Sequence, residues 1–432
     1  MRVEVDIWNI HLGTLSDDTP SGIAAFEYAS GYEGPSPSPF TLPKQPGLIF
    51  PTLALHGLHG AFYDSLPDAF GLAAMDRVFQ RKGLNPERVT SLERLCYLGA
   101  RAFGALSYRP DLGSKDHDVL VSIQEIALAK EVRETQEGRY DEVLPAFLKA
   151  ASSPGGARPK LTIGVSRNEP DRVVIGDWAS LAEYEPWILK VDVNPERAYG
   201  RIEHAFAVMA RQAGLRTAET RILEDKHDGI ARSHFAIKRF DREGTRRIHM
   251  HSLAALLERD FNRNETTYEE LLSAAKRLTG NIAFAEEFLR RAIFNYAVGN
   301  CDDHAKNHAF LLREEGGWEP SPVYDLTPSR GEGHQNIHAM LIGVGFPEPT
   351  ERNWCQLGET VGIPAEKTRQ MIQAVYDAVM DWPSIATSCG ITHERAKEAL
   401  DIEGMKIGTS ISKRMRVERP RGGISPTDET NV

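Results

Sequence analysis

The densest chemistry in the chain lies in Gly299-Asn300-Cys301-Asp302-Asp303-His304-Ala305-Lys306-Asn307. Acids, an imidazole, an amine and amides crowd this segment, between an apolar helical pattern and an apolar strand pattern. Such a cluster is costly to keep in a folded centre unless its groups bind something. Asp302 and Asn307 stand in an acid-x4-Asn spacing. In phosphoryl-transfer loops with that spacing, the acid orients the attacking hydroxyl and accepts its proton, and the amide oxygen helps hold Mg²⁺. Lys306 would then stabilise charge developing on the transferred group.

Three further features bear on the same chemistry. Asp325 closes the apolar stretch Pro322-Val323-Tyr324. Alone, an acid there reads as a helix cap; beside Asn307 it reads as a second oxygen ligand for Mg²⁺, which takes carboxylate, amide, water and phosphate oxygens. Lys190 sits in the apolar strand pattern Trp187-Ile188-Leu189-Lys190-Val191. An amine in that setting calls for an anion, and nucleotide phosphates qualify, with Glu203 on the following helix as an orienting partner. The compact loop Ser152-Ser153-Pro154-Gly155-Gly156-Ala157-Arg158-Pro159-Lys160 could cradle phosphates with backbone N–H groups, although it fits neither GxGxxG nor the Walker spacing.

The elements that must position these groups are legible in part. Val3–Trp8 and Ile23–Ala29 alternate as strands, with Leu15 to Gly22 expected as a turn between them. A helix fits Asp68–Arg81, and Ser91 is expected to cap a short helix through Cys96, before a closing strand at Phe103–Tyr108. Asp111–Asp118 reads as a linker, with helices expected near Val119–Arg133 and Tyr140–Ala151. Strands at Leu161–Val165, Arg172–Ile175 and Trp187–Val191, a helix at Arg201–Ala213, and strands at Thr220–Leu223 and Ser233–Phe240 make a run suited to gripping a nucleotide. From His251 onward the pattern is helical, at Ser252–Glu258, Tyr268–Leu278, Ala283–Val298, Pro364–Met380 and Thr392–Asp401, interrupted by a strand pair at His308–Arg313 and Trp318–Val323.

The chain has 432 residues, too many for one ordinary domain, and its 41% hydrophobic content suffices for real cores. A net charge of −10 argues against a protein that coats nucleic acid with its whole surface. The basic stretch from Lys406 to Arg421 is the place that could meet DNA or an acidic partner, or be a solvated tail. No apolar run approaches the roughly 20 residues that span a bilayer. The charged start Met1-Arg2-Val3-Glu4 does not read as a signal peptide. Cys96, Cys301, Cys355 and Cys389 share no CxxC spacing, so free thiols and a cytoplasmic setting are expected.

The sequence resembles the HipA family of serine/threonine kinase toxins. The resemblance is carried by Ser65-Leu66-Pro67-Asp68-Ala69-Phe70-Gly71, by Gly99-Ala100-Arg101-Ala102-Phe103-Gly104-Ala105-Leu106, by the Ser153–Lys160 loop, by Arg239-Phe240-Asp241-Arg242, and most specifically by Asp302-x-His304-Ala305-Lys306-Asn307 with Tyr324-Asp325 after it. It implies an α+β, two-lobed protein-kinase-like fold. A small mixed N-terminal subdomain would span 1–112, a nucleotide-gripping part 113–248 and a helical C-terminal lobe 249–418, with a disordered tail at 419–432. By motif position it implies Asp302 as catalytic base with Lys306 beside it, and Asn307 and Asp325 as Mg²⁺ ligands. Lys190, Ser153, Gly155, Gly156, Ala157, Lys160, Lys238, Phe240, His304, Asn307, Tyr324 and Asp325 would surround ATP, with Lys238–Phe240 as the hinge at the adenine.

The resemblance further implies silencing by autophosphorylation of Ser153 or Ser152, where a phosphate's charge would repel the nucleotide from its cradle. A HipB-like helix-turn-helix antitoxin, operator DNA reached through it, and an aminoacyl-tRNA synthetase as phosphorylated target are the implied partners. Two departures stand out: Pro159 removes an N–H donor from the loop, and Asp303 occupies a position where relatives also carry a small residue. Two other readings remain open from the residues alone. One is a catalytically weak, DNA-associated regulatory partner of an antitoxin; the other is a metal-dependent phosphohydrolase using Asp302, Asp303 and His304.

Overall fold

The computed structural model describes residues 1–18, 23–113, 121–123, 130, 132, 159–176, 182–227, 229–329, 337–343 and 349–402. The expected helices at 119–133 and 140–151 lie mostly outside these residues, as do the 152–158 segment and the basic tail.

The N-terminal unit is built on the antiparallel sheet β3-β2-β1-β4, from β1 (Arg2–Ile7), β2 (Ile10–Ser16), β3 (Ala25–Tyr28) and β4 (Leu106–Arg109). The strand β2 corrects the sequence expectation that Leu15 and Ser16 belong to a turn. The actual turn is Trp8-Asn9, both residues at positive φ (51° and 65°), the two-residue hairpin geometry that matches strand twist. Val3, Val5, Ile7, Leu12 and Leu15 face one core. The helix Ala69–Arg81 covers that core with Met75 and Phe79, and Asp68 caps its N-terminus by accepting from Gly71 N–H (2.7 Å). The next helix, Ser91–Leu98, is capped not by Ser91 but by Thr90, in a reciprocal capping box with Glu93.

The second sheet has the order β5-β7-β6-β8-β10-β9, all neighbours antiparallel: β5 (Val121–Ser122), β6 (Lys160–Ser166), β7 (Val173–Ile175), β8 (Tyr184–Lys190), β9 (Thr220–His227) and β10 (Ile230–Lys238). Val121–Ser122 is thus strand, where the sequence suggested helix. Register in β6 and β8 sets Lys160 directly opposite Lys190. The helix Tyr199–Gln212 lies close on this sheet. A Cβ on Gly200 would come within 1.9 Å of the Ser233 carbonyl oxygen, so only glycine permits the approach.

A short hairpin, β11 (Arg242–Glu243) and β12 (Arg246–Arg247), leads into the helical part. There the sheet β13-β14-β15, from β13 (His249–Ser252), β14 (Ala309–Leu312) and β15 (Trp318–Pro320), packs among the helices Tyr268–Thr279, Ile282–Val298, Glu351–Thr360 and Ala365–Met380. β13 and the helices Glu351–Thr360 and Trp382–Ser388 are additions to the sequence reading. One large core runs through this part, with Phe288, Phe294, Tyr268 and Trp382 at or near zero exposure; each such side chain stabilises by roughly 1.5–3 kcal/mol relative to exposure. Cys96, Cys301 and Cys355 are buried and Cys389 is part-exposed, all as free thiols. Among the described residues, no helix is long and apolar enough to cross a membrane.

Buried carboxylates fasten the N-terminal unit to the rest, and Asp241 is one of them. Asp241 pairs with Arg239 and Arg242 (2.7 Å each) and accepts from Gly104 N–H (2.9 Å). Arg242 and Arg247 in turn donate to the carbonyls of Ala102 and Gly104. Burial pushes the Asp241 carboxyl up, but the two guanidiniums outweigh it and hold it far below the usual carboxylate range. A folded pKa below the unfolded one means stabilisation that is present above the unfolded value of about 3.9 and lost only as pH falls toward the folded value. Asp241→Ala, which leaves the guanidiniums buried without their counter-charge, is expected to cost about 3–5 kcal/mol. Urea denaturation at pH 7 checks this, and the difference from wild type should persist down to about pH 5.

Candidate active site

The helix Ile282–Val298 starts at the Asn281 cap and stops at Gly299, whose φ of 71° only glycine adopts without strain. This stop releases the chain into the Asn300–Asn307 segment, which ends in a single 3₁₀ turn, Ala305–Asn307, before β14. The local geometry then divides the two acids. Asp303 is fully buried and both of its oxygens are used: Oδ1 accepts from Ala339 N–H (2.9 Å) and Met340 N–H (3.3 Å), and Oδ2 contacts Tyr268 Oη (2.6 Å) and His338 Nδ1 (2.9 Å). Asp302 has a side chain 50% exposed. Its N–H donates to Ser329 Oγ (2.8 Å), and its carbonyl accepts from Asn307 Nδ2 (2.9 Å), a bond that closes the loop and fixes the amide.

The buried network continues from Asp303 to the second acid segment. Asn295 Nδ2 donates to Tyr268 Oη (3.1 Å), and Asn300 Nδ2 donates both to Asn295 Oδ1 (3.1 Å) and to the Asp325 carbonyl (3.0 Å). Asp325 is held at φ 53°, a left-handed conformation that a non-glycine residue adopts only under constraint. Its carboxylate is ion-paired with Lys190 and lies 3.4 Å from Lys160 Nζ. Lys190 is also ion-paired with Glu203 on the Tyr199–Gln212 helix. Burial alone would push the Lys190 ammonium down; Asp325 and Glu203 override it and hold it above its ordinary value. Likewise burial raises the Asp325 carboxyl, while Lys160 and Lys190 outweigh that and keep it ionised far below the usual range.

These groups face a cleft with about 1070 Å³ of empty space, solvent at its opening included. Lys160, Lys190, Glu203, Lys306, Asn307 and Asp325 are among its charged and amide lining. Ile188, Phe235, Ile237, Val323 and Leu326 supply apolar walls. At the exit of β10, Arg239 and Phe240 line the cleft, and Phe240 stacks on Tyr324 with ring centroids 5.7 Å apart. An apolar slot beside paired lysines suits a flat base with an anionic tail.

Of the residues expected from sequence, Lys160, Lys190, Phe240, Lys306, Asn307, Tyr324 and Asp325 come together around this cleft. Lys238 belongs to the same strand end, but its side chain turns to Glu185 (2.8 Å) instead of the cleft. His304 lies beside the cleft-lining set, its ring tilted at 56° to Phe261 with centroids 4.9 Å apart and its Nε2 3.8 Å from Asp302 Oδ1, and burial lowers its pKa. Ser152, Ser153, Gly155, Gly156 and Ala157 lie outside the described residues. Sequence reasoning missed Asp64 and Phe103, both from the N-terminal unit and both on the cleft wall. Phe103 lies in a stretch the sequence singles out and Asp64 just before another, but nothing local ties either to a segment roughly 200 residues away.

The oxygen donors Asn307 and Asp325 fit Mg²⁺, which takes one or two protein oxygens and completes its shell with water and phosphate. Among the described residues no group of three or more His, Cys, Asp or Glu side chains could hold a metal. The hydrogen bonds that consume Asp303 withdraw it from any metal set with Asp302 and His304. The departure noted in the sequence therefore has a structural reason: this carboxylate knits the loop to 338–340.

Comparison with known proteins agrees with this geometry. Residues 152–382, more than half of the chain, match the HipA-like C-terminal domain, and residues 3–109 match the HipA N-terminal domain. The protein named "Putative kinase Y4dM" of Sinorhizobium fredii is 28% identical over 153 residues, 32% of this chain and 36% of that protein. The serine/threonine-protein kinase toxin HipA of Shewanella oneidensis is 36% identical over 64 residues, 15% of this chain and 14% of that protein. The matched stretches thus span about a third or less of these two relatives. A solved structure of the Shewanella oneidensis MR-1 toxin–antitoxin system, HipA with HipB and its operator DNA, superposes with a TM-score of 0.63 at 19% identity, covering 92% of this chain and 97% of that one, and so shares its fold.

The opposed environments of the two acids predict opposed behaviour. Asp303→Ala removes a buried, fully bonded carboxylate and is expected to destabilise the protein by about 3–5 kcal/mol. Asp302→Ala is expected to change stability by less than about 0.5 kcal/mol. Thermal and urea denaturation of the two variants side by side checks the contrast.

Proposed function

The chain belongs to the HipA family, and from that premise we propose that it is an ATP- and Mg²⁺-dependent serine/threonine protein kinase. The observation that carries the reading is the buried Lys190 ion-paired with both Glu203 and Asp325, beside Asn307, in a cleft with apolar walls. That set covers the parts a phosphoryl-transfer site needs: an amine for the nucleotide phosphates, an acid to orient it, and oxygens for the metal.

In this reading the apolar slot of Ile188, Phe235 and Ile237 seats the adenine, with Arg239 and Phe240 at the strand exit. Lys190 and Lys160 bind phosphate oxygens, and Glu203 keeps Lys190 oriented while they do so. Asn307 and Asp325 would hold Mg²⁺, which would supply neutralisation of charge on the phosphates. Asp302, with its carboxylate half-exposed, orients the acceptor hydroxyl and takes its proton as the new P–O bond forms and the bond from the γ-phosphorus to the bridging oxygen breaks, releasing ADP. Lys306 balances charge on the phosphoryl group in flight. The Asn307–Asp302 bond holds base and metal ligand in one fixed relation, and such positioning supplies much of the rate in phosphoryl transfer.

The family supports a wider role as the toxin of a toxin–antitoxin pair. Its partners would be a HipB-like antitoxin and, through it, operator DNA, as in the Shewanella complex. A translation-related protein such as an aminoacyl-tRNA synthetase is the proposed target, and phosphorylation of Ser153 or Ser152 the proposed silencing event, adding about −1.5 to −2 charge beside the nucleotide phosphates.

Two experiments test this. With γ-labelled ATP and Mg²⁺, Asp302→Ala and Asn307→Ala should each lower phosphoryl transfer by a factor of about 10² or more, with unchanged melting temperature in the Asp302 variant. Retained labelling by Asp302→Ala removes it as the base, and growth arrest on expression of that inactive variant favours a DNA-associated regulator instead. Phosphosite mapping of active wild-type protein is expected to find Ser153 or Ser152 modified; an unmodified loop in labelled protein rules out silencing by that route.

A further inference from the structure

The segment Tyr63–Gly71 of the N-terminal unit contains the family-like Ser65-Leu66-Pro67-Asp68-Ala69-Phe70-Gly71, to which the kinase reading gives no task. It is anchored rather than loose. Ser65 Oγ lies 2.7 Å from Tyr108 Oη on β4, and Asp64 is fixed by Ser252 N–H (2.6 Å), Ser252 Oγ (2.8 Å) and His251 Nδ1 (3.0 Å). The segment gathers around the Lys306 ammonium. Lys306 Nζ lies 5.3 Å from the Tyr63 ring centroid and 5.4 Å from that of Phe261, within cation–π reach, and Asp64 lines the cleft beside it.

Asp68 completes the surround. It is 5% exposed; its Oδ1 caps the following helix through Gly71, while its Oδ2 is buried without a hydrogen-bond partner. A helix cap needs only one of these oxygens. A buried, unsatisfied carboxylate oxygen is expensive to maintain, and the positive charges that act on this carboxylate are Lys160 first and then Lys306, with Asp325 the nearby like charge. Burial raises the Asp68 carboxyl to about 6, so it carries its charge at neutral pH. Burial lowers the Lys306 pKa, and Asp64 and Asp68 are the acids that oppose this.

We propose that Asp68 is a positioning residue for Lys306, so that the Tyr63–Asp68 segment makes the N-terminal unit a working part of the phosphoryl-transfer site. The inference rests on the kinase reading. It assigns Asp68 no contact with the reacting atoms: it acts by keeping the Lys306 amine seated over Tyr63 and aimed into the cleft. The consequence is selective. Loss of the Asp68 charge should impair turnover and spare ATP affinity, because Lys190 and the apolar slot are untouched and Lys160 keeps Asp325 3.4 Å from its Nζ.

The test uses the full chain, Mg²⁺ and γ-labelled ATP, reading phosphoryl transfer to water and to the protein itself, with ATP affinity measured separately by binding of a fluorescent ATP analogue. Asp68→Asn keeps a capping oxygen and removes the charge. It is expected to lower turnover about 10- to 100-fold, the range for residues that orient a functional group from behind, with analogue affinity within about twofold of wild type. Tyr63→Leu, which removes the ring under the ammonium, should show the same split. Asp68→Ser, which also retains a cap, serves if the Asn variant does not fold. Wild-type turnover in the Asp68 variant, or turnover and affinity falling together, overturns the assignment. Wild-type protein that transfers no phosphoryl group at all overturns the kinase reading itself, and this inference with it.

Discussion

A single amine, Lys190 Nζ, joins three parts of the chain that are far apart in sequence: the end of β8, the Tyr199–Gln212 helix through Glu203, and the post-β15 segment through Asp325. Removing three charges from water costs several kcal/mol per ion, and only close mutual pairing offsets it. None of the three can move alone without stranding a buried charge. The pairing therefore fixes the helix against the sheet and the sheet against the segment that carries Asp325. It also holds Asp325 in its left-handed conformation from the side-chain end, while Asn300 holds its carbonyl from the other. The site is thus a consequence of how charge is buried, and the apolar cores on either side keep the lobes close enough for that burial to happen.

A second constraint lies across the first. Asp241, at the strand exit that lines the cleft, is shared between guanidiniums that grip the Ala102 and Gly104 carbonyls of the N-terminal unit. Arg239 also lies over the Phe103 ring, 4.0 Å from its centroid. A further junction repeats the theme: Glu258 accepts from Thr52 N–H, Gly60 N–H and His59, and Gly60 passes so close to Ala255 that a Cβ would sit 1.9 Å from its carbonyl oxygen. The N-terminal unit therefore docks through buried polar bonds with narrow geometric tolerance. Such contacts specify one arrangement, where a greasy face would allow several.

What the sequence revealed follows from the range of the interactions involved. Asp302 and Asn307 are readable because their relation is local, a loop closed by one side-chain-to-carbonyl bond. Lys190 is readable because an amine in an apolar strand demands an anion, and Glu203 because it lies on the next helix. Asp64 and Phe103 are unreadable because their place on the cleft wall depends on docking across the chain. Local chemistry can also mislead. The β2 strand is hidden because Trp8-Asn9 makes a hairpin turn without glycine, and Lys238 reads as a cleft residue although Glu185 on β8 and Glu219 just before β9 draw its side chain away. The Ser152–Ala157 expectations lie outside the described residues and stand as proposals.

The charge balance of the cleft bears on how a polyanion could enter it. Lys160, Lys190 and Lys306 face Asp64, Asp68, Glu203 and Asp325, so the protein by itself is close to neutral there. A nucleotide alone would have to compete with Asp325 for both Lys160 and Lys190. A divalent cation held by Asp325 would change this, since the carboxylate would then be occupied and the amines left to phosphate oxygens. Binding of the pair would exchange ion pairs that are already buried and expose no charge that lacked a partner. The desolvation cost of the site is met in folding, not at the moment of binding, which is the physical meaning of preorganisation. It also explains why Asp325 must be ionised: a neutral carboxyl there would leave Lys190 with Glu203 alone and Lys160 without its ion-pair partner.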